Sequence, residues 1–176
     1  MGRRPLRRRP RGPRVLLTRL FVAAFPTGEA LDDLRGALPS GVRHTAPEKW
    51  HVTLAFLGEV DDDRVPEVIR ALDDVPPPAP FSLRLTGGGR FGEVIWTGLS
   101  GDVVALTALH SSVRQSLTEA GFPLDARPFR PHLTLSYRRF DRRLLTALSG
   151  YTGPPWQVTG FSLVSSADGE YTRLTR

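Results

Sequence analysis

The tetrapeptide His-x-Thr-Leu occurs twice in this chain, at His51-Val52-Thr53-Leu54 and at His132-Leu133-Thr134-Leu135. Residues two apart on a strand face the same way, so each His shares a face with its Thr while the apolar residues face the other. The chain has only four histidines, and two of them open these strands. The surroundings repeat as well. The first half reads as a strand over 16–25, apolar enough to be buried on both faces, then a helix over 29–38 with Thr27 as N-cap. The His-Thr strand 51–57, closed by Gly58, and a helix over 62–73 with Pro66 in its first turn follow. On that strand His51, Thr53, Ala55 and Leu57 share one face, and Val52, Leu54 and Phe56 the other.

The second half opens after Pro76-Pro77-Pro78 with a strand pair, 81–90 and 94–98, and the glycines at 87, 88, 89 and 92 are expected around its turn. Val103, Leu106, Leu109, Val113, Leu117 and Ala120 recur at helical spacing. The second His-Thr strand, 132–137, a short helix over 141–149 and a hairpin of 157–165 with 170–174 complete the chain. Two similar series with the motifs in equivalent places imply a duplicated α+β unit.

The net charge of +6 belongs to one end. Arg3, Arg4, Arg7, Arg8, Arg9, Arg11 and Arg14 have no acid among them, and without them the chain is near neutral. Residues 1–14, with three prolines, read as a disordered basic tail ahead of a single domain over 15–176. Such an arm can bind nucleic acid without sequence preference, or be a solvated leader. With no cysteine, disulfides and thiolate metal sites are excluded. No apolar run approaches the roughly 18 residues that span a bilayer, and no secretory signal is evident, so a cytoplasmic protein without a membrane partner is expected.

Two imidazoles, each beside a hydroxyl, suit phosphodiester hydrolysis. One can deprotonate an attacking water and the other protonate the departing alkoxide, while the hydroxyls bond the phosphoryl oxygens. Imidazole titrates near pH 6.5, so two copies can hold opposite protonation states near neutrality. Metal binding is the rival use. The motifs carry no His-x-His, no acid and no third ligand, so no metal or other cofactor is expected. Gly87-Gly88-Gly89 lacks the Gly-Lys-Ser/Thr ending of a P-loop and reads as a turn. His44 and His110 have no partner pattern and read as structural or surface residues.

Taken together, Trp50-His51-Val52-Thr53-Leu54-Ala55-Phe56-Leu57-Gly58-Glu59 and Phe129-Arg130-Pro131-His132-Leu133-Thr134-Leu135 resemble the two motif regions of the two-histidine phosphoesterases. Arg19-Leu20-Phe21-Val22-Ala23, Arg90-Phe91-Gly92 and Trp96-Thr97-Gly98 extend the resemblance to the bacterial RNA 2′,3′-cyclic phosphodiesterases, also called 2′-5′ RNA ligases. The resemblance implies a two-lobed α+β fold, antiparallel sheets lining a central cleft with helices outside, and metal-independent hydrolysis of RNA 2′,3′-cyclic phosphate ends to 2′-phosphates. It makes His51 the proton donor, His132 the proton acceptor, and Thr53 and Thr134 the phosphate holders, in a monomer acting on RNA ends. Arg130 is a candidate substrate contact. Two alternatives stand beside this reading: a non-catalytic module that binds RNA ends, and the same chemistry on a small cyclic nucleotide or ADP-ribose cyclic phosphate. The chain departs from the pattern at Tyr137, where the family commonly has Arg. Arg138 follows one residue later, and the basic leader is also no family feature.

Overall fold

A computed structural model describes residues 16–137 and 140–175; the expected basic tail and Arg138 lie outside them. The chain runs β1 (Leu17–Ala24), α1 (Gly28–Ala37), β2 (Val52–Asp61), α2 (Val65–Asp73), β3 (Phe81–Phe91), β4 (Val94–Gly101), α3 (Val103–Glu119), β5 (Leu133–Ser136), α4 (Arg142–Leu148), β6 (Trp156–Val158), β7 (Ser162–Ala167) and β8 (Glu170–Arg173). Short 3₁₀ turns precede β2 and α2. The expected α+β class holds, and every named strand pairing is antiparallel.

All eight strands form one sheet, ordered β6-β3-β4-β5-β2-β1-β7-β8. Its left half holds β5 and its right half β2, so each half carries one His-Thr motif next to the midline. The lobes are not the two halves of the sequence. The C-terminal hairpin β7–β8 pairs onto β1, in the lobe built by the N-terminus. Two helices cross the other way, α3 packing on β2 and α1 on β3, while α4 stays on β3 and β4 of its own lobe. This exchange welds the lobes into one body around a core that includes Leu20, Leu34, Trp50, Leu83, Leu106, Leu133 and Trp156.

One sheet face carries that core and the helices. The opposite face holds a small second cluster, Phe21, Ala23 and Val164 with Phe25 and Tyr171 against it. Alternation along β1 explains the division, since Leu20, Val22 and Ala24 face the core while Phe21 and Ala23 face away. Burial on both faces therefore holds from Leu20 to Ala24, while Leu16 and Leu17 are exposed.

Four local expectations are corrected. Gly58 does not close β2 but sits inside it at φ +73°, beside one of two register shifts against β1. These shifts place extra residues at Leu54 and Leu57, and each inverts the strand's alternation. Phe56 is consequently 53% exposed, while Ala55 joins the core and Leu57 packs against it. The glycines at 87–89 lie within β3, not at its turn. Gly89 pairs with Trp96 across the strands, and a Cβ there would overlap the indole ring. The segment expected as one strand over 157–165 is two, β6 on β3 and β7 on β1, at opposite halves of the sheet. Thr27 occupies the N-cap of α1, but only its backbone carbonyl bonds the helix, accepting from Leu31 N at 3.1 Å.

Candidate active site

Among the described residues, β2 and β5 are joined by one register pair, Val52 with Leu133. Those residues directly follow His51 and His132. In an antiparallel register this sets His51 opposite Thr134 and Thr53 opposite His132. The four side chains form a square on the face away from the core, each histidine across from the other motif's threonine. The two strands are then free to splay beyond the single pair.

A network on the core side holds this seam. Trp50, fully buried, donates its indole N–H to Thr45 Oγ1 at 2.9 Å. The Thr45 hydroxyl and backbone N–H both donate to the Leu135 carbonyl, at 3.1 and 2.7 Å. The residue before the first motif is thereby tied to the last residue of the second.

Both catalytic candidates are oriented alike. His51 Nδ1–H donates to the Lys49 carbonyl at 2.7 Å and His132 Nδ1–H to the Arg130 carbonyl at 2.6 Å, two residues back in each case. A carbonyl can only accept, so Nδ1 carries the proton and Nε2 is left to exchange one with a ligand. The rings stand in different surroundings. His51 is stacked on Phe21 at 4.7 Å, with Tyr171 edge-on at 5.7 Å and Phe25 at 5.8 Å. His132 meets Phe91 edge-on at 5.2 Å and Trp96 at 6.1 Å, and its bond to Arg130 is exposed where that of His51 to Lys49 is part-buried. Burial pushes the His51 imidazole below its ordinary pKa; the bond to Lys49 opposes this, and the charge of His132 adds to it.

Arg130 lends its backbone to His132, while its side chain is exposed and has no ion-pair partner among the described residues. Tyr137, at the position where the family commonly has Arg, lies near the Thr134 hydroxyl. Burial and the neighbouring Tyr171 push its phenol above the ordinary range, the Thr134 hydroxyl working against them. Among the described residues, no three His, Cys, Asp or Glu side chains converge as a metal site would need, and no helix is long and apolar enough to cross a membrane.

His44 and His110 lie outside the square, as expected, and His110 has a structural role that periodicity did not reveal. Its Nδ1–H donates to the Leu54 carbonyl at 2.7 Å, at one of the two bulges in β2. Its ring lies on Phe129 at 3.8 Å and 7°. The helix α3 therefore grips both the first motif strand and the segment leading into the second. A polar residue interrupting the apolar stripe of α3 was the available signal.

The 2′-5′ RNA ligase superfamily profile matches residues 22–170. The chain belongs to the 2′-5′ RNA ligase superfamily. It is 40% identical over 95 residues to an RNA 2′,3′-cyclic phosphodiesterase of Geobacillus stearothermophilus, covering 51% of this chain and 30% of that protein. It is 36% identical over 127 residues to the Archaeoglobus fulgidus protein of the same name, covering 66% of this chain and 70% of that one. The crystal structure of E. coli LigT complexed with 3′-AMP superposes with a TM-score of 0.72 at 28% identity, over 92% of this chain and 97% of that one. The membership agrees with the resemblance read from the two motif regions, and the superposition extends it to the exchanged lobes.

Proposed function

We propose that this member of the superfamily opens RNA 2′,3′-cyclic phosphate ends to 2′-phosphates, with His51 as acid and His132 as base. The observation that carries the reading is the pairing of the two His-Thr strands at Val52 and Leu133, with each imidazole held through Nδ1 by a carbonyl two residues back so that Nε2 is left for a ligand. Water attacks phosphorus opposite O3′ and gives its proton to His132 Nε2. The P–O3′ bond breaks and O3′ takes the proton from His51 Nε2–H. The P–O2′ bond survives, which leaves a 2′-phosphate and a 3′-hydroxyl. Thr53 and Thr134 donate to the non-bridging oxygens as charge redistributes. Arg130, exposed beside His132, adds a positive charge to the phosphate's approach. Exchanging the two histidines' roles would deliver a 3′-phosphate instead.

Desolvation alone favours a neutral His51, which is the wrong form for an acid. The phosphodiester's own negative charge, seated between the rings, works in the opposite direction and holds the proton on. The names of the relatives support hydrolysis over mere binding of RNA ends.

The test is an oligoribonucleotide ending in a 2′,3′-cyclic phosphate, incubated with the protein in EDTA and analysed for the position of the terminal phosphate. A 2′-phosphate is expected. A 3′-phosphate would reverse the two roles, and an intact ring would leave an RNA-end binding module. The roles are separated further by a phosphodiester with a nitrophenolate leaving group, which needs no acid. His51→Ala should recover most of its loss on that substrate, and His132→Ala none.

A further inference from the structure

A groove of about 390 Å³ opens on the His51 side of the square, bounded by Ala23, Phe25, Gln157, Thr159, Ser162 and Arg173. It begins where the first motif ends, since Ala23 pairs with Thr53 across the β1–β2 ladder. Phe25 is shared, standing 5.8 Å from the His51 ring and forming the groove's wall. The Arg173 guanidinium lies over that ring, 3.8 Å from its centroid. Among the described residues no carboxylate pairs with it. A stacked guanidinium keeps its in-plane N–H groups for a bidentate anion, and this one faces hydroxyl and amide neighbours rather than acids.

Ribose stereochemistry says which anion would reach this groove. In a 2′,3′-cyclic phosphate, O3′ sits on the carbon next to C4′, from which the chain continues through C5′ to the preceding phosphate. O2′ sits next to C1′ and the base. An acid placed at O3′ therefore lies on the side from which the RNA chain arrives, and the groove lies just past that acid.

We propose that Arg173, stacked on Phe25, binds the phosphate on the 5′ side of the terminal nucleotide, so that the protein prefers an RNA chain end to a free cyclic mononucleotide. The inference rests on the reading of His51 as the acid at O3′. Gln157, Thr159 and Ser162 supply neutral donors to the same phosphate, and the Phe25 ring holds the guanidinium flat without neutralising it.

The experiment compares wild type and Arg173→Gln on a 2′,3′-cyclic mononucleotide with a free 5′-hydroxyl and on a dinucleotide ending in the same cyclic phosphate. Arg173→Gln should lower kcat/KM about tenfold on the dinucleotide, chiefly through KM, and leave the mononucleotide unchanged, which also shows that the fold is intact. The salt dependence of the dinucleotide reaction should weaken by about one released ion. An equal loss on both substrates, or no loss on the dinucleotide, would overturn the assignment. If wild type turns over neither substrate, the catalytic reading fails. The groove is then judged by calorimetric binding of a dinucleotide ending in a 3′-phosphate, where equal affinities of wild type and variant would rule it out.

Discussion

The imidazole of His51 lies on the ring of Phe21, centroids 4.7 Å apart and planes inclined by 25°. That stack covers one face of an imidazole whose burial lowers its pKa, and it has a kinetic consequence. If His51 must be protonated to act, one limb of kcat/KM, which reports the free protein, falls below the ordinary imidazole value of about 6.5. The limb in kcat reports the complex and lies higher, because the bound anion favours the proton. Initial rates from pH 4.5 to 9 should show this order, and the opposite order would remove His51 as the acid.

Phe21→Leu tests the cause directly. The smaller side chain lets water reach the imidazole, so the limb of kcat/KM that lies below about 6.5 should move up in pH. A limb unmoved by the substitution would show that the Phe21 stack does not control the titration.

His51→Ala and His132→Ala should each lower turnover of a cyclic-phosphate oligonucleotide by about 10²–10⁴-fold, the usual worth of one positioned proton transfer. Single-turnover assays suffice, and full activity in either variant would end the two-histidine mechanism.

For Thr134→Val, which keeps the side chain's shape and removes its hydroxyl, the expected loss is about ten- to a hundredfold, the cost of one hydrogen bond to a charged group. Thr134→Ser should recover most of it. Activity equal to wild type in the valine variant would show that Thr134 does not hold the phosphate.

His110 makes stability depend on pH. Burial lowers its pKa, with the charge of Arg114 adding to this and the bond to the Leu54 carbonyl opposing it. The unfolded chain, titrating near 6.5, then binds more protons than the native protein, and stability falls as pH drops below about 6.5. Urea unfolding at pH 7.5 and 5.5 should show a smaller difference for His110→Gln, which keeps a donor but cannot titrate. Equal differences would exclude His110 as a contributor.

Gly89→Ala should destabilise the protein by about 1–3 kcal/mol, the usual cost of overpacking. The new methyl must displace the Trp96 indole, which the strand pair holds in place. Phe91 and Trp96 together flank His132, so activity should fall along with the urea midpoint. An unchanged midpoint would contradict the packing.

Much of the fold and the site was legible in the order of residues along the chain. The period-2 pattern around each His-Thr pair placed all four polar side chains on one strand face, and the helical stripe from Val103 to Ala120 became α3 and its C-cap, with Leu106, Leu109, Val113 and Leu117 buried. What escaped was set by pairing. The bulges that turn Phe56 outward depend on the register of β1 against β2. Gly89 looked like a turn residue because its partner, Trp96, is identified only once β3 and β4 are aligned.

The sequence by itself determined the α+β class, the superfamily and the identity of the four polar residues, since these depend on local periodicity and on short motifs that each fit within one strand. Only the tertiary structure decided that His51 is stacked on Phe21 while His132 meets Phe91 edge-on, that the C-terminal hairpin belongs to the first lobe, and that Arg173 stands past His51. Burial and opposition across a sheet are made by residues far apart in the chain, and no local pattern records which of them will meet.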